Sequence, residues 1–94
     1  MKLFITYKKL YIDGDLLGKV SGKLPPLGKY RIDISQCPKL QRMTPVLPDG
    51  TRIYWDNIDR DLSDCILLEY EHYIELYKKI VDSINSGDDV ILTL

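Results

Sequence analysis

Cys65 is the residue at which covalent chemistry is most readily placed. The stretch Ile53-Tyr54-Trp55-Asp56-Asn57 is followed by Ser63-Asp64-Cys65-Ile66-Leu67. An alternating strand, a polar loop and a cysteine thus precede an amphipathic helical segment. A thiol at a loop-to-helix junction is activated by the first-turn N–H groups and the helix dipole, which favour thiolate over thiol. The tract itself holds no histidine to act as base. His72, the one histidine of the chain, lies near the start of the helical segment, beside its apolar stripe and one or two turns from Cys65. Cys65 and His72 are therefore the candidate catalytic pair. The plainer reading of each is a core thiol and a boundary histidine, because reduced cysteine is among the most buried residue types.

Other constellations point to weaker chemistry. Asn57-x-Asp59-x-Asp61 imitates the opening of a calcium loop, but Leu62 and Leu68 stand where such a loop needs glycine and glutamate. Two cysteines and one histidine show no zinc spacing. No metal and no cofactor is expected. Tyr54, Asn57 and Ser63 flank the thiol tract as polar groups for holding a ligand. Tyr54 and Trp55 alternate, so at most one of them faces a given pocket.

The elements that must position these residues follow from pattern. Ninety-four residues suit one domain with a modest core. The sequence is 45% hydrophobic and 29% charged, a globular balance and not a disordered one. Leu3–Tyr7 is rich in β-branched and aromatic residues and predicts a strand. Leu10-Tyr11-Ile12 followed by Asp13-Gly14 predicts a hairpin returning towards Val20. Ser21-Gly22 and Leu24-Pro25-Pro26-Leu27-Gly28 break the pattern as a rigid loop, and Tyr30–Ile34 resumes it as a half-buried strand. Gln36–Leu47, with Pro38 and Pro45 and no period, reads as a long surface connection. Pro48-Asp49-Gly50 turns into a strand at Thr51–Trp55, and Asp56–Asp64 reads as a loop. Apolar positions from Tyr70 to Ile84 have helical spacing, and Gly87 is placed to end that helix. Val90–Leu94 closes as a strand of nearly all apolar residues, hence a central one. The expected fold is α+β, a β-rich single domain with a mixed sheet or small barrel-like sandwich, one long C-terminal helix and a final strand.

Charge is divided along the chain. Residues 1–47 carry nine Lys/Arg against three Asp, whereas residues 48–94 carry four against eleven acids. Folding can gather Lys8, Lys9, Lys19, Lys23, Lys29 and Arg31 into a basic face for an anionic ligand. Lys29 and Arg31, on an alternating strand, are its best-placed members. Nucleic acid is set aside at this level, since the isoelectric point is near 5.7 and no nucleic-acid-binding signature is visible. No apolar run suits a bilayer, and the N-terminal residues lack signal-peptide regions, so no membrane contact and a cytoplasmic location are expected.

Several of these motifs, taken in order, resemble the L,D-transpeptidase (YkuD-like) domain, most closely its short phage- and prophage-associated relatives. Pro26-Leu27-Gly28-Lys29-Tyr30-Arg31-Ile32 resembles the family's P-x-G-x-Y/F segment. Pro45-Val46-Leu47 through Ile53 resembles the approach to its histidine strand. Tyr54-Trp55-Asp56-Asn57 stands where relatives have H-x-G-N, and Ser63-Asp64-Cys65-Ile66-Leu67 where they have S/T-x-G-C-I. The resemblance spans roughly residues 8–94. It implies acyl transfer on a peptide, with Cys65 at the nucleophile position, Ser63 beside it and Tyr54 at the base position. A neutral phenol is no general base near neutral pH, and Asp64 puts a carboxylate beside the thiol, which opposes thiolate formation. The resemblance therefore implies a degenerate, non-catalytic relative, phage encoded and resident in the host cytoplasm, that reuses the old cleft for an anionic small molecule or peptide. Two alternatives stand beside it: a cysteine acyltransferase or peptidase acting on peptidoglycan stem peptides, and an inhibitor of host defence that sequesters a nucleotide-like signal or contacts a host protein.

Overall fold

Alternation in the first residues fixes the first strand: Leu3 and Ile5 are buried while Lys2, Phe4 and Thr6 face out. The same logic builds the rest of a computed structural model that describes residues 1–38, 40–56 and 65–94. Its strands are β1 (Lys2–Thr6), β2 (Lys9–Ile12), β3 (Asp15–Gly22), β4 (Lys29–Arg31), β5 (Asp33–Cys37), β6 (Arg42–Val46), β7 (Arg52–Trp55), β8 (Cys65–Leu68) and β9 (Ile91–Thr93), with a helix α1 (Tyr70–Asn85) before the last.

The strands form one mixed sheet in the order β4-β9-β1-β2-β3-β8-β7-β6-β5. The pairs β1–β9 and β7–β8 are parallel and the others antiparallel. The two border strands, β4 and β5, are consecutive in the chain and separated by Ile32 alone. Both borders thus belong to one bent strand, and the sheet is nearly closed. Ile32 sits at the bend, buried, with its N–H donated to the Val90 carbonyl at 2.8 Å. The expected α+β domain, β-rich with one long helix and a final strand, is what the chain forms, but β9, expected to be central, is second from the β4 border, covered there by a strand of only three residues.

The inward residues of the sheet, among them Leu3, Leu10, Ile53, Ile66, Leu68 and Leu92, share one core with Tyr73, Leu76 and Ile80 of α1. These helix residues are spaced at three and four, a single stripe. Tyr70, expected in that stripe, is instead exposed at its edge, where its ring meets Trp55 edge-on. The helix ends as expected. Gly87, at φ 84°, donates to Ile84, and Asp88 donates to Ser83, so the left-handed glycine satisfies two terminal carbonyls.

Three expectations need correction. Gln36–Leu47 is not a surface connection. It holds the end of β5 and the whole of β6, paired as a hairpin, with Gln41 at φ 52° and its N–H donated to the Cys37 carbonyl. Pro45 is tolerated because it pairs with Ile34 where β6 has already left β7; those two strands meet only at Val46 and Arg52, so the missing N–H breaks no ladder bond. Ser21-Gly22 does not break β3, which runs through Gly22. Cys65 does not sit at a loop-to-helix junction. It opens β8, and Ile66, Leu67, Leu68 and Glu69 lie between it and α1. A run of four apolar residues is short for a helical turn of core but sufficient for a buried strand.

Candidate functional site

The thiol tract forms a small second cluster. In the parallel pair β7–β8, Arg52 lies beside Cys65 and Tyr54 beside Leu67. Ile53, Ile66 and Leu68 belong to the main core, so alternation sends Cys65, Leu67 and Tyr54 to the opposite face. There Cys65, Tyr54 and Cys37 bury one another, with Leu40 and Leu67 against them. Cys65 is 5% exposed. The Tyr54 hydroxyl lies 2.7 Å from Cys37 Sγ, and either group can donate. Burial first, and then that hydrogen bond, push the Tyr54 phenol well above its ordinary value. It stays neutral and protonated, which removes it as a base. Both cysteines are thiols.

His72 is elsewhere. Its ring lies against Gly18 of β3, so closely that a Cβ there would collide with it. Its Nδ1 is buried without a hydrogen-bond partner, 3.8 Å from Glu69 Oε2 one turn earlier. The carbonyl of Cys65 lies instead against Gly22 and accepts a 3.0 Å bond from the Lys23 N–H. Gly18 and Gly22 are four residues apart in one strand, about 13 Å at strand rise. The candidate catalytic pair is therefore not assembled. Asn57, Ser63 and the acidic loop considered for calcium lie outside the described residues. Among the described residues, no three His, Cys, Asp or Glu side chains gather as a metal would require.

Lys29 and Arg31 do share a site. They face outward on β4, and register places them in two rows across three strands: Arg31, Ile91, Lys2 and Lys29, Thr93, Phe4. A groove of about 590 Å³ lies over these rows, with Tyr30 also on its lining. Its floor is Ile91, Thr93 and the 45% exposed ring of Phe4. Three cations stand around an apolar floor; Arg31 is ion-paired with Asp89 at 3.2 Å, and the backbone N–H of Lys2 donates to the Asp13 carboxylate at 2.8 Å. Tyr30 points the other way, to the core, and its hydroxyl donates to the Pro26 carbonyl at 2.6 Å, which fixes the proline loop beside β4. Lys2 and Phe4 were not singled out from sequence, although the alternation Lys2-Leu3-Phe4-Ile5 carried the signal. Tyr54, by contrast, is far from this groove in sheet order and takes no part in it.

A second depression, about 420 Å³, lies between Lys23–Pro26 and Asp49–Thr51, with one cation and one acid and no exposed ring on its lining. Comparison with family models, with curated proteins and with solved structures finds no match for this chain.

Proposed function

We propose that this chain is a non-catalytic binding domain for an anionic small molecule with an apolar or ring-shaped part, and that it is a degenerate relative of the L,D-transpeptidases it resembles. The observation that carries the reading is the outward groove on β4, β9 and β1, where Lys2, Lys29 and Arg31 surround an exposed Phe4. Cations there supply charge complementarity, and the apolar floor supplies area to bury. The resemblance implied binding in the old cleft around Tyr54, but those side chains fill one another's space. Our reading moves the ligand to the outer sheet face. Acyl transfer is disfavoured by a buried Cys65, a phenol in place of a base and an imidazole against Gly18, four residues along β3 from the Cys65 contact at Gly22. The phage or prophage setting and the host cytoplasm belong to this proposal too. No helix among the described residues is long and apolar enough to cross a membrane.

Two measurements test it. Thermal denaturation is followed with nucleoside monophosphates, aromatic carboxylates and peptidoglycan stem peptides. A ligand that binds the native state at a hundredfold its Kd stabilises it by about 2.7 kcal/mol. We expect stabilisation by one of the first two classes, abolished in the Lys29→Ala, Arg31→Ala double variant. Iodoacetamide should modify Cys65 at least about tenfold more slowly than a small model thiol, since burial shields the sulfur from the reagent. Stabilisation by stem peptides alone, or rapid alkylation of Cys65, would overturn the reading.

A further inference from the structure

The groove is one end of a longer strip. Register carries the Lys29, Thr93, Phe4 row onward to Tyr11 of β2 and Leu16 of β3. Directly paired residues share a face, so Phe4 and Tyr11 stand side by side, followed by the exposed Leu16. Five strands at about 4.8 Å make this row about 19 Å long. Cations line both of its sides. Lys2 and Arg31 flank it in the neighbouring row on one side, and Lys9 and Lys19 on the other.

Lys9 and Lys19 are a direct cross-strand pair, and like charges so placed repel. Among the described residues, no acid lies within ion-pair distance of Lys2, Lys9, Lys19 or Lys29. Two acids also stand at this face, Asp89 on Arg31 and Asp13, whose carboxylate accepts from the Lys2 N–H; the four lysines around a row of apolar side chains still call for an occupant that has both charge and flat apolar surface, repeated over about 19 Å. A mononucleotide is too short to reach from Lys29 to Lys19. A duplex presents its phosphates but keeps its bases stacked away from Phe4 and Tyr11. A single strand offers both, with phosphates to the lysines and unstacked bases to the rings.

We propose that the outer face of β4, β9, β1, β2 and β3 binds single-stranded nucleic acid, about three to five nucleotides per site. This deepens the small-anion reading and rests on it, since the groove is the strip's Lys29 end. The near-neutral overall charge that argued against nucleic acid is an average: the acids are concentrated in residues 48–94, while the cations of this face all lie in β1 to β4.

Fluorescence anisotropy with the intact chain and labelled oligo(dT) and oligo(U) of two, four, eight and twelve nucleotides tests the proposal, with a twelve-base-pair duplex and unlabelled AMP as comparators. Affinity should rise with length to about four nucleotides and favour single strand over duplex. The logarithm of the association constant should fall with the logarithm of salt, with a slope of about −2 to −3.5 for three to five phosphates. Phe4→Ala should weaken binding about five- to thirtyfold without altering that slope, because it removes stacking. Lys9→Ala with Lys19→Ala should weaken binding and make the slope shallower by about 1.4. All of these positions are exposed, and circular dichroism checks that the variants fold. Binding of AMP or an aromatic carboxylate with no dependence on oligonucleotide length, or on Lys9 and Lys19, would overturn this proposal and leave the small-anion reading standing. Equal binding of duplex with no effect of Phe4→Ala would also overturn it. No binding of any of these probes would overturn both.

Discussion

Tyr54 and Tyr73 are phenols held where water is scarce, for different reasons. Tyr54 lies between the thiol-bearing ends of β5 and β8, whereas Tyr73 is central to the helix stripe, its ring 5.0 Å from Trp55 and 6.1 Å from Tyr77. Burial pushes Tyr73 up to about 12, against the opposing pull of Arg42, and pushes Tyr54 higher still. Unfolded tyrosines ionise near 10, so above that pH the unfolded chain loses protons that the native chain keeps. Stability is therefore full below about pH 10 and falls as pH rises, through about pH 12 for Tyr73, by about 1.4 kcal/mol per pH unit for each phenol. Urea denaturation at about pH 8 and about pH 11 should show this decline, and Tyr54→Phe and Tyr73→Phe should each reduce its slope. A slope unchanged by either variant would mean that the rings are hydrated. At this scale the sequence was legible where alternation was clean, as for Lys29 and Arg31. It misplaced Cys65 because four apolar residues carry no period of their own.

Elements meet in this fold through two glycines of β3 whose roles differ. Gly18 leaves room for the His72 ring, a side chain that can swing, while Gly22 has φ 83° and lies against the carbonyl of Cys65, a backbone atom that cannot. Gly18→Ala should cost about 1–3 kcal/mol as an overpacking change, and adding His72→Ala should recover most of it. Gly22→Ala should cost at least as much, from the left-handed backbone and the contact together, and no His72 change should help. Denaturant titration of the variants decides this; recovery of Gly22→Ala by His72→Ala would show that the two glycine sites are not independent. Several junctions were readable beforehand. Asp13-Gly14 turns with φ 49° and 93°, as its composition demands. The equivalent turn at Tyr7-Lys8, with φ 50° and 58°, was silent, since neither residue favours that conformation and only the pairing of β1 with β2 enforces it. The β5–β6 hairpin was hidden by Pro38 and Pro45, whose usual meaning is interruption.

For the molecule as a whole, closure depends on Ile32. Neighbouring residues on either side of it belong to opposite borders of the sheet, and its side chain is in the main core. Ile32→Ala should cost about 2–5 kcal/mol, compared with little for Leu27→Ala on the exposed loop nearby. A loss below about 1 kcal/mol in urea denaturation would show that the bend is not what holds the borders together. The overall class, a β-rich domain with one late helix and a final strand, was legible because strand alternation and helical spacing were both strong. Closure was expected only as one of two forms, the barrel-like one, and its place was hidden, because Tyr30–Ile34 reads as one straight strand and nothing local marks the turn at Ile32. The division of charge between faces likewise needed the register to become visible. Closure has a further consequence. A sheet of this size would ordinarily present two long rows of unsatisfied amides to any passing chain. Here the rims are only three and five residues long, and on the longer rim the guanidinium of Arg52 takes two backbone carbonyls, those of Ser35 and Gln36, of which one at most can point off the border. Recruitment of foreign strands, the first step towards fibrils, is thereby starved of a template.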